Sequence, residues 1–128
     1  MKPASFLVHL TPLVIFIQLF LGGAYLVSNA GYPSIGGMDT IHPVFGLIVF
    51  VIALAATIAV WVSKPRYSTL AYVTATTFVF VVLTGLAADK STMLAHDTVA
   101  TIAFGSSIVG TMIAGKWNPS PVAAAKPS

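Results

Sequence analysis

The stretch "IHPVFGLIVFVIALAATIAVWV", Ile41 to Val62, decides the fold class because it contains no Asp, Glu, Lys or Arg. A helix needs about 20 predominantly apolar residues to cross the hydrocarbon of a bilayer. Windows of about 19 residues find three more stretches of this kind. The predicted spans are residues 6–27, 41–62, 70–88 and 93–115.

The composition of the whole chain agrees with a membrane protein. Of its 128 residues, 57% are hydrophobic and only 7% are charged, whereas roughly a quarter of the residues of a soluble domain are charged. The segments between the spans are short, so consecutive helices should lie antiparallel. We therefore expect an all-α fold, an integral membrane up-down four-helix bundle in a single domain (1–115), with a mobile tail at 116–128.

The few charges orient this bundle. With the N-terminus inside, most basic residues lie on the cytoplasmic side, as the positive-inside rule requires. These cytoplasmic residues are Lys2, Lys64, Arg66, Lys116 and Lys126. The outer side then carries Lys90 with Asp39, Asp89 and Asp97. The pattern predicts cytoplasmic N- and C-termini and a multi-pass protein of the cell membrane, most simply a prokaryotic plasma membrane.

Charge and cysteine content also exclude several functions. The net charge of +3 comes from single, scattered residues without aromatic interleaving, so nucleic acid is not an expected partner. The chain has no cysteine, which excludes disulfides, thiolate metal sites and cysteine nucleophiles.

Two histidines occupy equivalent positions in the predicted bundle. His42 opens the second span and His96 opens the fourth, and both of these helices begin on the outer side, so the two imidazoles should lie at similar depth. His9 lies at the cytoplasmic start of the first span without a histidine partner, and we expect an interfacial role for it.

Each of the paired histidines precedes a stripe of mostly small residues on one helix face. The stripe after His42 is Gly46, Val49, Ala53, Ala56 and Val60, and the stripe after His96 is Ala100, Ala103, Ser107, Gly110 and Ala114. One explanation is close packing of helices through small residues. The other is a flat macrocycle between the second and fourth helices, with His42 and His96 as axial ligands of a heme iron and with Gly46 and Ala100 leaving room for it.

Four other polar or aromatic residues have two interpretations each. Asp39 is either an N-cap or surface residue of the second helix, or part of a site. Gln18 lies in the middle of a span, where an unpaired amide is expensive, and we expect a hydrogen bond to another helix rather than a ligand contact. Tyr25 and Tyr32 belong to an aromatic belt at the outer interface, or they contact heme propionates together with Lys90.

These motifs resemble those of the heme A synthases, a family of the respiratory oxidase assembly pathway. Each four-helix half of that family carries a histidine at the outer start of its second and fourth helices, with a carboxylate three positions before the first of them. Here "DTIHPVFG" contains Asp39 and His42, and "MLAHDTVA" contains His96. "IQLFLGGAYL", with Gln18, is similar to the family's first-helix pattern of glutamine followed by leucine-glycine.

The resemblance covers roughly residues 6–115 and looks like a compact, half-size form of archaeal type. It implies heme b as the cofactor, His42 and His96 as iron ligands, and Asp39 as a catalytic acid near the reacting methyl group. The usual enzyme has eight helices and two histidine pairs, so a half-size chain implies a homo-oligomer. The chain departs from the family in having aspartate for glutamate, Pro43 for the arginine after the histidine, and no cysteines in the outer loop. These departures bear on catalysis more directly than on heme binding.

Three functional classes remain. The first is a heme b protein of the aerobic respiratory system, either a heme A synthase-like oxidoreductase or a cytochrome b-like carrier between a quinone and an oxidase. The second is a non-catalytic accessory subunit of a respiratory or other membrane oxidase complex. A transporter ranks last, because no charge in the interior of the membrane and no broken helix marks a pathway.

Overall fold

The computed structural model describes residues 3–29, 36–63, 69–88 and 92–116. The described chain is all-helical, with α1 at Pro3–Asn29, α2 at Met38–Val62, α3 at Thr69–Leu86 and α4 at Met93–Lys116. All four helices are long and apolar enough to span a membrane, and only 22–28% of each spanning window is buried inside the protein. The four predicted spans are thereby confirmed, and most of their apolar surface faces outward, as expected for a multi-pass membrane protein in lipid.

The helix boundaries differ from the predicted spans by a few residues. The largest differences are at α1, which begins at Pro3, and at α2, which begins at Met38 rather than at residue 41. Lys116, predicted to open the C-terminal tail, is the last residue of α4. The rest of that tail, 117–128, lies outside the described residues.

The helices pack in a ring that follows chain order. The most extensive contacts are between α1 and α2 and between α3 and α4, and the ring is closed by contacts of α1 with α4 and of α2 with α3. This arrangement places α2 and α4 diagonally across the bundle. The α1–α2 and α3–α4 pairs form two consecutive helical hairpins of similar extent.

Both small-residue stripes face the centre of this ring. All five stripe residues of α4 are buried, as are the last four of α2. His42 and His96 lie at one end of these stripes, which we call the histidine end of the bundle, and the opposite end is the far end. The periodicity of the small residues therefore identified the inward faces of the two diagonal helices.

The far end is closely packed. Its buried apolar cluster is formed by Ala4, Val8, Val60, Leu70, Ala71 and Ala114. Between this cluster and the histidine end, the helices leave a void of only about 10 Å³. Its lining includes the hydroxyl residues Thr11, Thr74, Thr77 and Ser107. In this half of the bundle the small residues therefore serve close helix packing, which is the simpler of the two explanations for the stripes.

Hydroxyl groups join helices where the backbone offers a free acceptor. Pro12 lies inside α1 and has no N–H to donate to the carbonyl of Val8. The hydroxyl of Thr111 on α4 donates to that carbonyl at 3.4 Å. Such replacement of a lost helical bond by a neighbouring hydroxyl is how membrane helices tolerate proline.

The packing of the far end predicts that replacing either of two glycines of α4 by leucine affects stability differently. A Cβ at Gly110 would stand 3.5 Å from Val73 Cγ1, whereas a Cβ at Gly105 would meet nothing within 4 Å. Gly110→Leu should destabilise the bundle by about 1–3 kcal/mol through overpacking. Gly105→Leu, which changes the same helix in the same way but faces outward, should have little effect. Thermal unfolding in detergent, followed by circular dichroism, would measure both, and equal losses would contradict the assignment of the inward face.

Candidate functional site

The structure brings His42 and His96 together at the centre of the histidine end. Their ring centroids are 6.2 Å apart, and the ring planes are inclined by 67°. A metal bound between two imidazoles has bonds of about 2 Å to each nitrogen, which puts the ring centres roughly 6 Å apart. The centroid separation is compatible with a shared metal ion where one nitrogen of each ring faces the other ring.

His96 is oriented by the end of α3. Its Nδ1 lies 2.8 Å from the main-chain oxygen of Thr84, in the last turn of α3, where carbonyl groups lack helical donors. A carbonyl only accepts hydrogen bonds, so Nδ1 carries the hydrogen and donates it, and Nε2 keeps its lone pair. This hydrogen bond gives the Thr84 carbonyl a donor. It also leaves Nε2 of His96 able to bind a metal.

His42 is held by packing against α1. A Cβ at Gly22 would stand only 3.1 Å from His42 Cε1, and the ring of Tyr25 lies over the imidazole with centroids 5.9 Å apart and planes inclined by 14°. Nδ1 of His42 is buried and has no hydrogen-bond partner among the described residues. The two histidines thus differ, because His96 has a hydrogen bond that fixes its tautomer and His42 does not.

Gln18 joins α1 to α2 beside this ring. Its Nε2 donates to the main-chain oxygen of His42 at 2.9 Å, which confirms the predicted hydrogen bond between helices. Gly46 leaves the space for this contact, since a Cβ there would stand 3.1 Å from the same amide nitrogen. The sequence predicted a polar partner for Gln18 but gave no sign that the partner would be the main chain of His42.

Two clefts meet at the histidine pair, and both histidines line both of them. The larger, of about 490 Å³, lies between the helices and is mostly apolar, with Gly46, Ala100 and Ala103 in its walls. Clefts that bind small ligands usually measure about 300–1,000 Å³. In this half of the bundle the small residues border open space, as the second explanation of the stripes requires.

The smaller cleft, of about 230 Å³, contains the polar groups of the histidine end. Tyr25, Asp39 and Asp97 line it together with both histidines. Sequence reasoning placed Asp97 on the outer side but gave it no role in the site. Its position directly after His96 in an otherwise uncharged helix start was the available signal.

The sequence predicts that Asp39 is an N-cap or surface residue, and the structure excludes the N-cap but agrees with a surface residue. The capping residue is Gly37, with φ of 86° and no side-chain cap, and its carbonyl accepts the N–H groups of Thr40 and Ile41. A positive φ is readily adopted only by glycine, so the helix begins earlier than the sequence suggested. Asp39 is therefore an exposed residue within the first turn, and Pro43 lies in the second turn rather than the first.

The remaining candidates are separate from the pair or outside the described residues. His9 Nδ1 bonds the main-chain oxygen of Ser5 at 2.7 Å within α1, towards the far end. Tyr32 and Lys90 lie outside the described residues. Across residues 3–29, 36–63, 69–88 and 92–116, no group of three or more His, Cys, Asp or Glu could hold a metal ion. Two imidazoles are nonetheless the donor set of an iron whose other ligands come from a macrocycle.

No protein-family model, curated protein or solved structure matches this chain. The resemblance to heme A synthases therefore rests on the quoted motifs alone and stays a prediction.

The close approach of α1 to His42 predicts a contrast between two adjacent glycines. Gly22→Ala should displace the imidazole, because its Cβ would stand 3.1 Å from Cε1, whereas Gly23→Ala meets nothing within 4 Å. Each variant replaces one helical glycine by alanine, so the intrinsic gain in helix stability should be the same in both. Imidazole NMR signals of the detergent-solubilised protein should move for His42 in Gly22→Ala and stay in place in Gly23→Ala. Unchanged signals in both variants would show that α1 does not position the ring.

Proposed function

We propose that this chain is a heme b-binding integral membrane protein in which His42 and His96 would ligate the iron. The observation that carries the proposal is the difference in hydrogen bonding between His42 and His96. A buried nitrogen of His42 lacks a partner in the described chain, and the ring lies 6.2 Å from that of His96, whose Nε2 is left free by the bond to Thr84. Buried polar atoms are nearly always satisfied, so the unpaired Nδ1 indicates that the contacts of the His42 imidazole are incomplete in the structure. In the proposed site Nε2 would bind the iron and Nδ1 would carry the hydrogen.

The surroundings of the pair suit a flat, largely apolar group. Gly46 and Ala100 border the larger cleft just below the histidines, where longer side chains would fill the space. The wall is mostly apolar and would exclude water from the iron, while the smaller cleft gives the polar edge of the group a route to the surface. When bound, a heme supplies one-electron redox chemistry, and the chain supplies its ligands, orientation and electrostatic environment.

Two roles follow from such a site. In a heme A synthase-like oxidoreductase, the exposed carboxylate of Asp39 in the smaller cleft would take up or release protons at the edge of the macrocycle. In an electron carrier, the same site would pass electrons between a quinone and an oxidase. In both roles the protein would lie in an aerobic respiratory membrane with both termini in the cytoplasm. It would act as a homo-oligomer or as a subunit of a larger complex.

The alternative is a non-catalytic accessory subunit of a membrane oxidase. The bond from His96 to Thr84 favours it, because that contact gives His96 a structural role at the end of α3 without a metal, and the far end is closely packed. In this case the histidine end would be structural and would bind no iron.

A reduced-minus-oxidised absorption spectrum separates the two proposals. The protein, purified gently from heme-replete cells, should show b-type bands, which His42→Ala and His96→Ala should each abolish by removing one axial ligand. His9→Ala is the matched control and should retain the bands, because His9 already bonds within its own helix. Absence of b-type bands from the unaltered protein would overturn heme binding and leave the accessory subunit.

The two carboxylates of the smaller cleft separate synthase from carrier. Asp39→Asn removes one charge and should leave the b-type spectrum intact while lowering the heme A content of cells that depend on this protein. Asp97→Asn is the control, since it removes an equal charge from the same cleft. Normal heme A in Asp39→Asn cells would exclude a catalytic role for this residue.

A further inference from the structure

Two buried polar atoms at the contact between α1 and α2 lack hydrogen-bond partners in the described parts of the chain. They are Nδ1 of His42 and Oε1 of Gln18. The two residues are already joined, because the amide nitrogen of Gln18 donates to the main-chain oxygen of His42 at 2.9 Å. Leaving a polar atom buried and unsatisfied costs about 1–3 kcal/mol, so a pair of them in one contact calls for an explanation.

The two orphaned atoms are chemically complementary. An amide oxygen only accepts hydrogen bonds, whereas an imidazole nitrogen donates when it carries the hydrogen. If iron takes the lone pair of Nε2, the hydrogen of a neutral imidazole must lie on Nδ1. Ligation would therefore turn Nδ1 of His42 into a donor. The Gln18 side chain, which already bonds the main chain of His42, carries an acceptor without a partner among the described residues.

His96 shows the same arrangement completed by the main chain. Its Nδ1 donates to the carbonyl of Thr84, which belongs to the helix preceding α4, just as Gln18 belongs to the helix preceding α2. Histidines that bind metals almost always donate their other N–H to such an acceptor, which fixes the ring and makes the ligand more basic. Only His42 lacks this acceptor in the structure.

We propose that Gln18 is the positioning residue for His42, with its amide oxygen accepting the Nδ1 hydrogen when Nε2 binds iron and its amide nitrogen keeping its bond to the main chain. This inference rests on the proposed heme ligation. It assigns to Gln18 the orientation of one iron ligand, His42. Two glycines provide the space for it. A Cβ at Gly46 would approach the Gln18 amide to 3.1 Å, and one at Gly22 would approach the His42 ring equally closely.

A positioning role predicts opposite shifts of the heme midpoint potential in two variants. Gln18→Glu offers a stronger acceptor, increases electron donation from the imidazole and should lower the potential. Gln18→Leu removes the acceptor, so it should raise the potential and weaken heme retention about 10- to 100-fold. Both potentials would be measured by redox titration of the purified holoprotein, with intact b-type bands showing that both histidines still ligate iron.

Thr77→Val provides the control for general loss of packing, because Thr77 is buried in the far half of the bundle and bonds Val73 and Ser106 there. It should leave the potential unchanged. If Gln18→Leu does not fold, the shift in Gln18→Glu decides. Unaltered potentials, or shifts in the same direction in both Gln18 variants, would overturn the role of Gln18 while leaving heme binding intact. A wild-type protein without b-type bands would overturn the proposed function, and the role of Gln18 with it.

Discussion

Within the hydrocarbon of a membrane, polar groups must be satisfied by other groups of the protein, and this constraint accounts for the hydrogen bonds that join these helices. The carbonyl freed by Pro12 receives a hydroxyl from α4. Thr57 of α2 donates to the main chain of Thr74 on α3 at 3.1 Å, and Gln18 of α1 donates to α2. Each of these bonds joins two helices that are neighbours in the ring, so polar groups without access to water add to the contacts made by the small residues. His42 and Gln18 stand out because each retains one buried atom that the described chain does not satisfy.

The same pattern of small residues has two uses along one pair of helices. Towards the far end, Ala53, Ala56 and Gly110 let the helices approach until almost no space remains. Towards the histidine end, Gly46 and Ala100 continue the pattern, but there the helices border a cleft of about 490 Å³. Close packing and space for a ligand are therefore successive parts of one stripe, and the tightly packed half provides a rigid base for the open half.

How far the sequence alone leads can be judged from particular residues. Hydropathy was sufficient for the four spans, and periodicity was sufficient for the inward faces, because lipid and close packing act on the pattern of side chains. The partner of Gln18 and the acceptor of His96 were not predictable, since both are main-chain carbonyls, which every residue possesses. The error at Asp39 has a similar cause, because the cap depends on the positive φ of Gly37 rather than on a polar side chain. Heme, orientation and partners stay predictions, as none of them is a property of the fold alone.

The difference between the acceptors of the two histidines also affects how this protein can change during evolution. The carbonyl of Thr84 is part of the backbone, so hardly any substitution can alter the contact with His96 without disturbing α3. The acceptor proposed for His42 is the side chain of Gln18, and a single nucleotide change converts a glutamine codon into one for glutamate. On the proposed function, one half of the site is fixed by the helix itself, while the other can be adjusted by point mutation without replacing a ligand.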